Sequence, residues 1–324
     1  MTPQESTFGS GWDSKSAEEH SFSFPEGQFS LWKRANAVSN CEACVHTGAT
    51  QAEWTRLLLC TGGKPRLRLL AEQTRQQRNE GDADEGNAAA SHELLHVLTL
   101  MSRIVTGDGI DITSSQDVEV KNCFIRSTDD SICIKSQRLF EDPSTVRDVT
   151  KVRVHNNVIW NAEPGNAIEL GYALQSEIHD LVFEDCDIIH CQYEGNMGGA
   201  ALSIHQADGG HVHDIHYKNI RVEQAEQKLF DIKVLLCRYT EQLAKGEIND
   251  IYFDNIQVLN GDIPVSMVRG YQTPTEEVRV HDVHFDNITF MGNKCETWQD
   301  MRLVTELAND IYVNGARICR QMKF

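Results

Sequence analysis

The 324-residue chain carries 30 Lys+Arg against 48 Asp+Glu, giving a formal charge of −18 and a pI near 5.1. So acidic a balance argues against nucleic acid as the main partner and against anionic membrane surfaces, since both need basic groups. No stretch approaches the ~18 consecutive apolar residues of a membrane span. With 40% hydrophobic and 24% charged residues, the composition is that of a globular protein with ample core.

In chain order, the opening MTPQESTFGSGWD has neither a basic n-region nor an apolar h-region, so no secretory leader is expected and no targeting signal fixes a location. Residues 1–100 show no repeat. They comprise a turn-rich start, a short run Trp54–Cys60, a basic stretch from Lys64 to Arg78 and the polar segment NEGDADEGNAAAS, whose composition is that of a linker. A helix is expected over 88–101. The region as a whole has no assigned fold: it is expected to be partly helical, disordered, an unrelated addition or the product of a misplaced gene boundary. It also holds two metal-like patterns. His92-Glu-Leu-Leu-His96 matches HExxH, which on a helix would present two zinc ligands on one face with Glu93 as base. Without a second helix offering a further ligand, an amphipathic helix burying Leu94, Leu95 and Leu98 is the simpler expectation. Cys41-Glu-Ala-Cys44 is a lone CxxC, a weak zinc signal. The ten cysteines are spread along the whole chain and are expected to be free and buried.

From residue 101 the texture changes. A short alternating strand ending in Asn or Asp recurs six times: VEVKNCFI, VRVHNNVI, LVFEDCDI, IHYKNIRV, IYFDNIQV and VHFDNITF. The marker residues fall at 122, 156, 185, 219, 255 and 287, at intervals of 34, 29, 34, 36 and 32. Between them lie second strands, SICIKS, AIELGY, ALSIHQ, LFDIKV and PVSMVR, and GIDITS precedes the first marker. Repeated short strands of period two, with little helical periodicity, predict a parallel β-helix whose coils stack about 4.8 Å apart. Asn at a repeated corner would form a ladder satisfying the turn backbone. An antiparallel sandwich is the competing architecture, but sandwiches seldom repeat one phrase six times.

The shortest unit pairs Asp108-Gly-Ile-Asp-Ile-Thr with Asp130-Ser-Ile-Cys-Ile-Lys at an offset of 22 residues, taken as the basic coil. Asp108 and Asp130 then share a column on adjacent coils, with Asp129 alongside. Three converging acids repel one another and should raise at least one pKa. That arrangement suits general acid–base chemistry and glycoside hydrolysis in particular. Turn capping by Asp and calcium binding are the alternatives on spacing alone.

Thr106-Gly-Asp-Gly-Ile-Asp111 and Ser127-Thr-Asp-Asp-Ser-Ile-Cys-Ile-Lys135 resemble the NTDG-x-D and G-D-D-C-I-x-I motifs of glycoside hydrolase family 28, the polygalacturonase-like pectin hydrolases. The resemblance covers roughly residues 101–290. It implies a right-handed parallel β-helix and inverting hydrolysis with no metal or cofactor. Position by position, Asp129 matches the general acid, and Asp108 with Asp130 the pair that activates water. Residues 101–324 are thus expected to form a monomeric glycosidase domain acting on a pectin-like polysaccharide, with no nucleic acid or membrane partner; members of the family usually work outside the cytoplasm.

Two departures bear on substrate. Where the family has Gly-His-Gly, this chain has Gly165-Asn-Ala-Ile-Glu-Leu-Gly171, so Asn166 replaces the His and Glu169 adds an acid. Asn can hydrogen-bond a sugar or an Asp but cannot carry a positive charge. The family's Arg-Ile-Lys has no match: Asp231-Ile-Lys233 keeps only the Lys, and His205 stands on the nearer coil in the outward column of Lys135 and Lys233. Asn166, Glu169, His205 and Lys233 are the candidate sugar contacts; for the outward column of Lys135, His205 and Lys233 a solvated outer face is the plain alternative. The lost Arg and the net charge leave a neutral or differently decorated glycan as an alternative substrate. A non-catalytic glycan-binding solenoid is the third class, disfavoured by three acids that binding alone does not require.

Overall fold

The computed structural model describes residues 107–318 except 140–141, 163–164, 193–198, 226–227 and 262–264, together with the backbone of the strand segments Glu42–Val45, Thr55–Cys60, Arg66–Leu69, Glu93–His96 and Thr99–Met101. The chain from residue 107 winds as a right-handed parallel β-helix. Each early coil lays down three strand positions, as in Gln116–Lys121, Phe124–Ser127 and Ile132–Ser136. The third position stacks into one sheet through Ile110–Thr113, Ile132–Ser136, Ile168–Leu174, Leu202–Gln206, Lys228–Val234, Val265–Arg269 and Leu303–Glu306. The first position stacks into the other, from Gln116–Lys121 through Val149–His155, Ile178–Glu184, Ile215–Val222, Ile251–Val258 and Val280–Asp286 to Ala308–Val313.

The repeat interval in the sequence is the coil length in space. Val118 pairs with Val152, Val152 with Leu181, Leu181 with Ile215, Ile215 with Ile251 and Ile251 with Val283, reproducing the intervals between markers. The markers are corners. Asn122, Asn156, Asp185, Asn219, Asn255 and Asn287 all lie at φ of 52–56°, a left-handed conformation that Asn and Asp tolerate better than other side chains. Their amides form part of the expected ladder: Asn255 donates to Asn219 at 2.9 Å and Asn219 to Asp185 at 3.2 Å.

Alternation along each strand sends one set of side chains inward. Ile110, Ile132, Ile168, Leu202 and Phe230 stack in one internal column, and Phe183, Tyr217, Phe253 and Phe285 in another, with ring centroids 4.7–5.1 Å apart. Cys123, Cys133, Cys186, Cys191 and Cys295 are free thiols buried in the solenoid, and Cys237 is half-buried, as expected of scattered cysteines.

One expectation is corrected. The segment expected as a helix over 88–101 holds two strands, Glu93–His96 and Thr99–Met101, which pair in parallel with Gln116–Lys121 and Phe124–Ser127, while Arg66–Leu69 pairs in parallel with Ile110–Thr113. A further coil therefore precedes the acid motifs. Over five residues an i, i+4 pattern is also an alternation, and the sheet edge offered by residues 116–127 decides the outcome. The HExxH pattern loses the helix on which its zinc geometry depended; its side chains, and the CxxC as a motif, lie outside the described residues.

Candidate active site

The third sheet position and the turn leading into it carry the acids. Parallel pairing of Ile110 with Ile132 and of Asp111 with Cys133 puts Asp108 and Asp130 in one column on adjacent coils, at the 22-residue offset of the sequence. Pairing of Ile132 with Ile168 brings Asn166 to the same column on the following coil. The turn is close-packed: the Gly109 amide donates to the Asp130 carbonyl at 2.7 Å, and a Cβ on Gly109 would lie 2.2 Å from the Ser131 carbonyl oxygen. Gly165 likewise lies against Asp129, where a Cβ would come within 2.3 Å of the carbonyl carbon. Only glycine lets these coils approach so closely.

Asp129 occupies the turn after Phe124–Ser127. Its backbone carbonyl accepts from the Ser127 hydroxyl at 2.7 Å and from the Asn161 amide at 2.6 Å, and its Oδ1 accepts from the Asp130 amide at 3.1 Å. Asp130 Oδ1 receives both the backbone N–H and the side-chain amide of Asn166, at 2.9 and 2.7 Å. Asn166 in turn accepts from the Ala200 amide at 2.8 Å. Burial, then Glu169, Asp129 and Asp108, push the Asp130 carboxyl well above the usual range, with Lys135 opposing them. Lys135 spans Asp108 and Asp111 at 3.1 and 3.0 Å. Burial opposes its charge, but the surrounding acids, Asp111 foremost, drive its pKa well above the ordinary lysine value. The expectation that crowded acids would raise one pKa falls on Asp130.

The remaining candidates gather on the outward rows of the same sheet, which is buried rather than solvated. Glu169 accepts from the Ser203 hydroxyl and bonds His205 Nδ1 at 2.9 Å; His205 Nε2 meets Asp231 Oδ2 at 3.2 Å. The same Asp231 oxygen takes Lys228 at 2.9 Å and Lys233 at 2.8 Å. Glu169, His205 and Asp231 have no exposed surface. Burial opposes charge on His205, but Glu169 and Asp231 outweigh it and raise its pKa to about 9. Burial would raise the Asp231 carboxyl, yet His205, Lys233 and Lys228 bring it down to about 2. Tyr172 stacks on His205 at 5.0 Å and touches the half-exposed Tyr239 at 5.4 Å.

Asp108, Asp129, Asp130 and Asn166 are therefore brought together, and Glu169, His205 and Lys233 form a second group around Asp231. Sequence reasoning passed over Lys135 as the partner of Asp108 and Asp111, Asp231 as a hub, and Ser127 and Asn161 as the clamps of the Asp129 turn. Lys135 was detectable: it stands two residues beyond Cys133, the register partner of Asp111. Among the described residues no group of His, Cys, Asp and Glu has the geometry to hold a metal ion. The rings of His211 and His213 meet at a tilt with centroids 4.3 Å apart, and His213 stacks on His179 at 5.1 Å. The concavity lined by His216, Tyr252, Asp254, Asp286 and Lys294 belongs to the other sheet, apart from the acids.

Residues 99–283, more than half of the chain, match the sequence model described as glycosyl hydrolases family 28. A probable polygalacturonase of Arabidopsis thaliana is 25% identical over 122 residues, which are 38% of this chain and 24% of that protein. The crystal structure of a hyperthermoactive exopolygalacturonase from Thermotoga maritima overlays with a TM-score of 0.51 at 16% identity, over 69% of this chain and 48% of that one. That overlay is a likeness of fold. The chain spans about a quarter of the length of the plant relative and about half of the bacterial one.

Proposed function

The chain belongs to glycosyl hydrolase family 28, and on that premise we propose that it hydrolyses α-glycosidic bonds of a pectin-like polysaccharide with inversion. The supporting observation is the register that stacks Asp108 on Asp130 with Asp129 in the intervening turn. We assign Asp129 to protonation of the leaving oxygen and Asp108 with Asp130 to activation of water. Inversion asks for roughly 6.5–9.5 Å between acid and base, with the water between them. Asn166 acts through Asp130, which its two N–H groups hold. Glu169, His205 and Lys233 act around the sugar site. The reaction needs no metal, and residues 101–324 form the catalytic unit of a monomer.

A second reading, hydrolysis of a neutral or differently decorated glycan, draws support from the charge pairing on the site-bearing sheet. Lys135, Lys228 and Lys233 are each engaged by carboxyl groups of the chain itself. A uronate would have to compete with Asp108, Asp111 and Asp231 for them, in a protein of net charge −18.

The test is reducing-end release from homogalacturonan and a panel of neutral α-glycans, with Asp129→Asn alongside. Release from homogalacturonan that the substitution abolishes supports the first reading, and release from a neutral glycan alone supports the second. Full activity in Asp129→Asn refutes the acid assignment under either.

A further inference from the structure

Asp108 and Asp111 have almost no contact with solvent, 4% and 1% exposed, and both reach the ammonium of Lys135. The two acids come from the strand and turn of one coil, and Lys135 comes from the next. It stands five residues beyond Asp130, on the strand Ile132–Ser136 into which the turn carrying this acid leads. Three acids act on it, Asp108 and Asp111 from the preceding coil and Asp130 from its own, and Asp130 in turn feels Asp129 and, from the following coil, Glu169. The Cys133 thiol is also near, its pKa pushed well up by burial, so it stays neutral and adds no charge. A parallel β-helix repeats side chains every ~4.8 Å, so acids placed in register on successive coils repel strongly where water is excluded. A buried cation between them offsets that repulsion, and removing one member of such a buried pair leaves the other uncompensated.

We propose that Lys135 is a positioning residue of the active site: clamped between Asp108 and Asp111, its ammonium is the counter-charge that lets Asp108 and Asp130 stand one above the other on adjacent coils. The catalytic part of this inference rests on the assignment of those two acids to water activation. The charge-compensation part does not. Lys135 does not touch substrate; it fixes the carboxylate that does.

The experiment compares the full chain with Lys135→Gln and Lys135→Arg. Gln keeps a donor for both acids without the charge, and Arg keeps the charge. Thermal melts at pH 7 and pH 4 give a reading independent of any substrate. Lys135→Gln should melt several degrees below the parent at pH 7, with the gap closing at pH 4 as the acids take up protons, and Lys135→Arg should recover most of the loss. A gap equal at both pH values, or an Arg variant as damaged as the Gln variant, overturns the proposal. If Lys135→Gln fails to fold at pH 7, recovery at pH 4 supports it and failure at both refutes it. On whichever glycan the parent hydrolyses, Lys135→Gln should lower kcat about tenfold or more with KM little changed, and the acid limb of kcat/KM should move to higher pH. An unmoved limb removes the positioning role. If no glycan is cleaved, the melts still decide the charge role, so failure of the hydrolase reading and failure of this inference are told apart.

Discussion

The chain Glu169–His205–Asp231 makes a pH dependence that can be worked from the structure. His205 is wholly buried, and its pKa is raised from 6.5 to about 9 by Glu169 and Asp231 against the effect of burial. A base whose folded pKa exceeds its unfolded value stabilises the fold fully below the unfolded pKa, and the contribution disappears as pH rises through the folded one. The window therefore runs from about pH 6.5 to about pH 9. At about 1.4 kcal/mol per pH unit the gap is worth about 3 kcal/mol. The depression of Asp231 to about 2 describes part of the same contact and is not added. The perturbation is His205→Gln, which keeps a polar side chain but cannot titrate. Urea unfolding of both proteins at pH 6, 7.5 and 9.5 should show the parent losing about 3 kcal/mol relative to the variant as pH rises. Titrating groups that do not touch His205 act equally on both proteins and cancel in the difference. Two stability curves running parallel from pH 6 to pH 9.5 would refute the reasoning.

Asp231→Asn should be costlier than most core changes, by about 3–5 kcal/mol in urea, because Lys228, Lys233 and His205 lose the carboxylate they share. Gly165→Ala should fold yet cut turnover on the order of 10²-fold, since the new methyl must displace the Asp129 backbone; unchanged kcat would show that the turn can shift freely. Asn255→Ala should cost about 1–2 kcal/mol, and Asn255→Gly distinctly less, because the corner at φ 55° penalises a Cβ. Equal losses would mean that the ladder hydrogen bonds, not the backbone, set the requirement. Chelator should leave hydrolysis unchanged, whereas a loss reversed by zinc would return attention to His92 and His96.

Much of this was legible in the sequence because a solenoid converts offsets into contacts. The positions of Asn122 to Asn287 fixed where the chain turns, and the 22-residue offset placed Asp108 over Asp130 without any knowledge of side-chain contacts. Residues 66–101 were not legible for the same reason: Arg66–Leu69, Glu93–His96 and Thr99–Met101 hold their places in the stack with no repeated marker between them. Strands of three or four residues carry too few alternations to be told from a turn of helix, and only the edge they meet separates the two. The roles of Asn166 and Lys135 were hidden differently. Each depends on which oxygen of a neighbour it reaches, and pairing register brings residues together without fixing that.

The outward rows show why the alternative of a solvated face does not hold for them. Stacking in register would set identical charges a few ångströms apart, which burial makes intolerable. Here the chemistry changes from coil to coil: Asp108 and Asp111, then Lys135, then Glu169, then His205, then Asp231 with Lys228 and Lys233. Acid and base alternate along the axis, so most members can bond the coil above or below and the rows can close without water. On this buried sheet Asp108 and Asp130 place two acids in the same column on consecutive coils. There the carboxyl of Asp130 is pushed well up while Lys135 and Asp111 flank Asp108. That break in alternation supports the proposed reactive position, because a buried stack built for stability alone would have carried the alternation through it.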